Sequence, residues 1–185
     1  MRIRDIIASD LFRYTQKKDF STLIESLLII PGFRYTFFLR LYASKNPLVR
    51  VIARFFLILT SIMYGYQIGL HTRIGKGLYI GHYGALVVNG AATIGENCNL
   101  AQGVVIGQAN RGKMQGVPTI GNRVWIGANA IIVGKVTIAD NVLIAPGAYV
   151  NFDVPSNSMV IGNPGVIKTY SPEKDVVEGY VHNPV

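Results

Sequence analysis

The chain has 185 residues, half of them hydrophobic and 15% charged, with a formal net charge of +8. That length suits one domain, or one domain with a small appendage, and the composition excludes a disordered tail. The single cysteine, Cys98, excludes an intrachain disulfide and points to a reducing compartment. No CxxC pair or Cys/His cluster offers a zinc site, and the N-terminal MRIRDIIASD lacks the apolar core of a signal peptide.

The charge is uneven. Residues 1–66 hold ten Lys/Arg against four Asp/Glu, whereas residues 67–185 hold eight against six. The basic third is also aromatic, with Phe12, Tyr14, Phe33, Tyr35, Phe37, Phe38, Tyr42, Phe55 and Phe56. Such a composition fits either an anionic membrane surface or a helical cap with a solvated positive face. No nucleic-acid-binding motif is present, so nucleic acid is not an expected partner. Thr22 to Glu25 reads as a capping box ahead of an apolar run that stops at Pro31-Gly32. A second helical stretch runs from Phe33 to Ser44. Asn46 caps a third, with Pro47 at its first position, which continues through Arg50 and Arg54 to about Tyr64. Its uncharged part is shorter than the roughly 20 apolar residues of a membrane span, so a buried or membrane-surface helix is expected.

From Ile68 onward a bulky aliphatic recurs every sixth residue: Ile68, Ile74, Ile80; Ile94, Leu100, Ile106; then Ile120, Ile126, Ile132, Ile138, Ile144, Val150. Gly or Ala commonly follows it, and four places on sits another small or apolar residue, as at Leu78, Cys98, Val104, Val124 and Val136. Neither a helix of period 3.6 nor a strand of period 2 explains this. Six residues per side and three sides per coil give a triangular parallel β-solenoid of about five coils. Cys98 then falls on an inward position, as a small core residue. Two places break the period. Ile80 to Val88 spans eight residues around His82, and Ile106 to Ile120 spans fourteen, so GQANRGKMQGVPT leaves the wall as a loop. The expected organisation is a helical region over 1–66, a solenoid over 67–167 and a tail over 168–185.

From IGKGLYIGH through IGENCNLAQGVVIG and VWIGANAIIVG to VIGNPGVIK, the chain resembles the left-handed hexapeptide-repeat acyltransferases. The helical start with Pro31-Gly32-Phe33 resembles the serine acetyltransferase branch, and within it the short capsular and colanic-type polysaccharide O-acetyltransferases. The resemblance implies a mainly β fold, a left-handed parallel β-helix behind a small helical region. It implies a homotrimer with active sites between neighbouring solenoids, acetyl-CoA as co-substrate with no metal, and His82 as general base. For acetyl-CoA it implies Ala128 and Pro146 at the corners that meet the pantetheine arm, with Gly107 and Ala109 opening the loop beside it. Arg111, Lys113 and Lys168 are candidate phosphate partners by charge. Trp125 and Gln67 are candidates on the substrate side: Trp125 against the pantetheine or a neighbouring subunit, Gln67 (or a backbone carbonyl) as the group that orients His82.

The chemistry asks for the same groups. Acetyl transfer from a thioester to a hydroxyl needs a base, and imidazole titrates near the working pH. Backbone N–H groups at a corner suit the oxygen that gains charge. His71, in a first-coil turn, and His182, in the polar tail, read as structural. The serine enzymes that the chain resembles have an aspartate where Gly81 stands, an Arg-His pair at Gly116 and Val117, and another aspartate at Gln67. Serine's charges would be poorly paired in such a site, which is costly. The expected function is therefore transfer of acetyl to a sugar hydroxyl in surface-polysaccharide synthesis, in the cytoplasm or at the inner membrane face, with peripheral membrane contact. Serine O-acetylation is the alternative. A γ-type carbonic anhydrase would need three zinc-binding histidines in another spacing, and a sugar-nucleotide pyrophosphorylase would need a nucleotide-binding domain. A non-catalytic scaffold trimer is the remaining rival.

Overall fold

The structure, a computed structural model, describes residues 2–171, 173–181 and 185. Four helices come first among these residues: α1 (Ile3–Thr15), α2 (Phe20–Ile29), α3 (Pro31–Tyr42) and α4 (Pro47–Tyr64). The last begins and ends as its sequence predicts. Asn46 Oδ1 accepts the N–H groups of Leu48 and Val49 at 2.9 and 3.3 Å, and Gly65 closes the helix at φ 75°. Two expectations are corrected. The cap of α2 is Asp19, whose carboxylate accepts from the Thr22 N–H at 3.0 Å, so Thr22 and Glu25 lie inside the helix. Pro31 starts α3 as well as ending α2, with a bend of 112° between them, because proline suits a first helical position. α1 lies outside the helices that the pattern marks. Its inward face carries Ser9, Asp10 and Arg13 beside Ile7 and Leu11, which hides the apolar stripe.

A parallel β-solenoid of five turns follows. The first wall stacks β1 (Tyr66–Ile68), β4 (Leu86–Val88), β7 (Val105–Gly107), β10 (Ile131–Val133) and β13 (Tyr149–Val150). The second stacks β2 (Arg73–Ile74), β5 (Thr93–Ile94), β8 (Thr119–Ile120) and β11 (Thr137–Ile138). The third stacks β3 (Tyr79–Ile80), β6 (Asn99–Leu100), β9 (Trp125–Ile126), β12 (Val142–Ile144) and β14 (Ser158–Ile161). β15 (Val166–Thr169) returns antiparallel on β14. The period-six aliphatics meet in register: Val88 on Ile106 on Ile132, Ile94 on Ile120 on Ile138, and Leu100 on Ile126 on Ile144. These side chains are buried, and burying each contributes about 1.5–3 kcal/mol. The corner between the second and third walls needs a left-handed residue in every turn. Gly77, Asn97, Arg123, Asn141 and Asn157 occupy it with φ from 53° to 73°. Asparagine tolerates this conformation, so the column needs no glycine.

The helices are bolted to the first turn. Asp10, 1% exposed, receives Arg40 Nε at 2.8 Å and the Leu78 N–H at 3.0 Å. Arg40 also donates to the carbonyls of Ile74 and Gly75, at 2.8 and 2.6 Å, and Arg13 donates to the carbonyl of Gly77. At the other end, Val176, Val177 and Val181 fold back on the third wall around Leu143.

Candidate active site

The corners joining the third wall to the first form one column along the solenoid. His82 stands in the first corner, Gln102 in the second, Ala128 and Asn129 in the third, and Pro146 and Gly147 in the fourth. Backbone bonds tie them together: Gly103 N–H to Ala85 carbonyl at 2.5 Å, Asn129 to Gln102 at 2.9 Å, and Gly147 to Ala128 at 2.8 Å. Successive turns lie about 4.8 Å apart, so Ala128 is roughly 10 Å and Pro146 roughly 15 Å along the axis from His82. The structure thus places these three predicted residues on one edge.

The His82 corner is longer than the others, and both of its ends are braced. On one side the Ile80 N–H donates to the Tyr14 hydroxyl at 2.8 Å, and Tyr14 stacks on Tyr79 with ring centroids 4.4 Å apart. On the other, the N–H groups of Gly84 and Leu86 donate to the carbonyls of Tyr64 and Gly65, at 2.9 and 3.1 Å. Gly32 is required for this contact, since a Cβ there would stand 2.1 Å from the Ile80 carbonyl oxygen. Between its braces the His82 side chain is exposed. Among the described residues no hydrogen bond from its own chain reaches the imidazole. Gln67 faces outward from β1, opposite Val87, and no hydrogen bond joins it or a backbone carbonyl to the imidazole.

The loop residues lie elsewhere. Gly107 ends β7, and Ala109 pairs with Gly116 through two backbone bonds of 3.0 Å, leaving Arg111 and Lys113 exposed on the projecting loop. This edge joins the first wall to the second, a full wall of about six residues and so roughly 15–20 Å from the His82 column. One chain therefore does not bring Arg111 and Lys113 to His82. Lys135 strengthens this edge and is absent from the sequence-based set. Its N–H donates to the Met114 carbonyl at 2.8 Å, and its side-chain stem lies against Gly116.

The third wall holds two more of the expected residues. Trp125 is half-buried beneath the chain's own C-terminal segment, 5.0 Å from the Tyr180 ring. Lys168 is exposed on β15, on the third wall and not on the loop edge with Arg111 and Lys113. Cys98 is a buried core residue as expected. Its Sγ donates to the Gly121 carbonyl at 3.1 Å, and burial pushes the thiol up to about 12. His71 is exposed in a first-coil turn, whereas His182 lies outside the described residues. Among the described residues no group of three His, Cys, Asp or Glu side chains could hold a metal. Tyr14 and Lys135 carry no motif that marks them, and Gly32 stood out only as a helix breaker and part of Pro31-Gly32-Phe33, not as a contact of the His82 corner. Gln102 and Asn129 were within reach of counting corners, because Gln102 sits one coil beyond His82 and Asn129 is the chain neighbour of Ala128 in the same corner.

Comparison with known proteins agrees with this geometry. The family described as bacterial transferase hexapeptide (six repeats) matches residues 118–151. A serine acetyltransferase of Synechococcus elongatus is 35% identical over 146 residues, which is 77% of this chain and 59% of that protein. The chain thus spans less than two thirds of that relative. A serine acetyltransferase of Helicobacter pylori is 33% identical, covering 75% of this chain and 82% of its own length. Escherichia coli WcaB, named for colanic acid biosynthesis, is also 33% identical, covering 76% of this chain and 88% of its own. Among solved structures, a Neisseria gonorrhoeae serine acetyltransferase in complex with serine matches with TM-score 0.69 at 29% identity, over 89% of this chain and 68% of its own. A Brucella abortus serine acetyltransferase in complex with coenzyme A matches with TM-score 0.70 at 25% identity, over 91% and 67%. A parallel solenoid with these repeats, matched along most of its length by such relatives, belongs to the hexapeptide-repeat acyltransferases.

Proposed function

We propose that the protein is an acetyl-CoA-dependent O-acetyltransferase with His82 as its general base. The observation that carries this reading is the His82 corner: an exposed imidazole on a lengthened loop, braced at both ends, at the head of the column that holds Ala128 and Pro146. His82 takes the proton of the acceptor hydroxyl as its oxygen attacks the thioester carbonyl. The C–S bond then breaks, and the imidazolium returns the proton to the departing CoA sulfur. Corner N–H groups stabilise the oxygen that gains charge in between. Pro146 itself has no N–H, so it offers the pantetheine amides only its carbonyl.

The separation of the two edges supports a homotrimer. If the Gly107–Gly116 loop of one subunit closes on the His82 corner of the next, Arg111 and Lys113 supply cations for the CoA phosphates. Acetyl-CoA as co-substrate is further supported by the relative solved with coenzyme A.

Serine is the acceptor that the relatives' names back better than a polysaccharide sugar, since serine acetyltransferases predominate among them. Lys135 beside Gly116 adds a cation where the resemblance had suggested that none remained for a carboxylate. A sugar hydroxyl is the second reading. Gly81 and Gln67 leave the ammonium of serine without a carboxylate, and WcaB is a relative named for colanic acid. CoA release by the purified protein decides between them, with L-serine beside free sugars and sugar nucleotides. A kcat/KM for L-serine above that for every saccharide supports the first reading, and the reverse order replaces it with the second. Absence of transfer to any acceptor overturns the acetyltransferase reading.

A further inference from the structure

α4 is packed on one side only. Ala53, Leu57 and Thr60 are buried towards the body, while the opposite side carries Leu48, Ile52, Phe55, Leu59, Ile62 and Met63, all exposed. At 100° per residue these six fall within an arc of about 100°, a continuous stripe along the helix. Ile62 is 78% exposed and Phe55 64%, values at odds with a core helix. A cleft of about 300 Å³, lined by Leu27, Phe38, Leu59 and Met63, continues the apolar surface towards α2.

The charge around this stripe is of one sign. From Ser26 to Gly95 the sequence contains no aspartate or glutamate, yet it holds Arg34, Arg40, Lys45, Arg50, Arg54, Arg73 and Lys76. Lys45, Arg50 and Arg54 belong to the N-terminal half of α4 or the turn before it, and all three are exposed. A second copy laid on the stripe would bring the same cations together with no acid to pair them, which disfavours self-association. An upright span fits poorly too. The uncharged part after Arg54, Phe55 to Tyr64, is about 15 Å long, half of the roughly 30 Å hydrocarbon core. Arg50 lies on the far side of the helix, over the Tyr42 ring, but Arg54 borders the apolar arc beside exposed Ile58, and Lys45 stands in the turn before the helix. An apolar stripe with cations at its rim and its N-terminal end, on a helix lying against the body, matches a helix in the plane of a membrane interface.

We propose that α4 docks the protein on an anionic bilayer. The Leu48–Met63 stripe enters the acyl boundary, and Lys45 and Arg54 meet the lipid phosphates. This inference is independent of the acceptor. The full chain should co-sediment with phosphatidylcholine vesicles containing phosphatidylglycerol and not with pure phosphatidylcholine vesicles, and high salt should release it. Phe55→Ser with Ile62→Ser should abolish binding without changing the sedimentation coefficient. Lys45→Gln with Arg54→Gln should weaken binding and flatten its salt dependence. In a Trp125→Phe background, Leu59→Trp should shift its emission to the blue on anionic vesicles. The proposal is overturned if the wild-type chain ignores anionic vesicles or binds neutral ones equally. It is also overturned if the Phe55/Ile62 pair lowers the oligomer mass, which would show a second copy covering the stripe.

Discussion

Ile132 in the solenoid is fully buried, whereas Ile62 on α4 is 78% exposed, although both sit in segments equally rich in aliphatic side chains. The solenoid closes on itself: each inward side chain is covered by the one a coil above and the one a coil below. A helix has no such closure. Its buried side is whatever its neighbours cover, and α3 covers one side of α4. Composition alone therefore says where the solenoid core is, but it does not say which face of α4 is buried, or against what.

The joint between the two regions should show the largest effect on stability. Asp10→Ala leaves the Arg40 guanidinium buried without its carboxylate, and removing one partner of such a pair typically costs about 3–5 kcal/mol. Urea denaturation should show it, and a loss below about 1 kcal/mol would mean that this pair does not join the helices to the solenoid. Within the regions, Ile132→Ala should cost about 2–5 kcal/mol by opening a cavity. Ile62→Ala should stay within about 0.5 kcal/mol in the absence of lipid. Equal costs would erase the distinction between the closed core and the open face.

A smaller effect is expected where α1 touches the catalytic corner. Tyr14→Phe removes the acceptor of the Ile80 N–H, which typically costs about 1–3 kcal/mol if the group stays unpaired. The positioning role predicts that kcat falls more than KM changes, while a purely structural role lowers the melting temperature with kcat per folded enzyme intact. The mildest probe is Cys98. With its thiol raised by burial from 9.0 to about 12, it should resist alkylation in the folded state at pH 8 and react once unfolded. The unfolded chain loses that proton first, so stability should decline as pH rises from 9 towards 12. Rapid labelling of the native protein would show that the column at Cys98 opens.

The solenoid was legible because its period is a direct consequence of geometry: Ile94, Ile120 and Ile138 had to face inward for any coil to close. His82 was legible through the two residues added around it. The braces were not, because Tyr14 and Gly32 are distant in sequence and reach Ile80 only after α1 and α3 fold. Asp10 and Arg40 were hidden for another reason, since buried charges look like surface residues until their partner is in place. The packing of Trp125 under the returning tail was not legible either, because Tyr180 is distant in sequence and reaches it only after the tail folds back. The separation of Arg111 from His82 follows from counting walls, yet it becomes informative only when a second subunit is considered.

The central claim is that His82 removes the acceptor proton. Steady-state turnover of purified His82→Ala with acetyl-CoA and the best acceptor tests it directly, alongside circular dichroism and sedimentation to establish an unchanged fold and assembly. The account predicts a kcat at least about a hundredfold below wild type, the usual scale for losing a general base. A variant that folds, assembles and turns over at near the wild-type rate would contradict it.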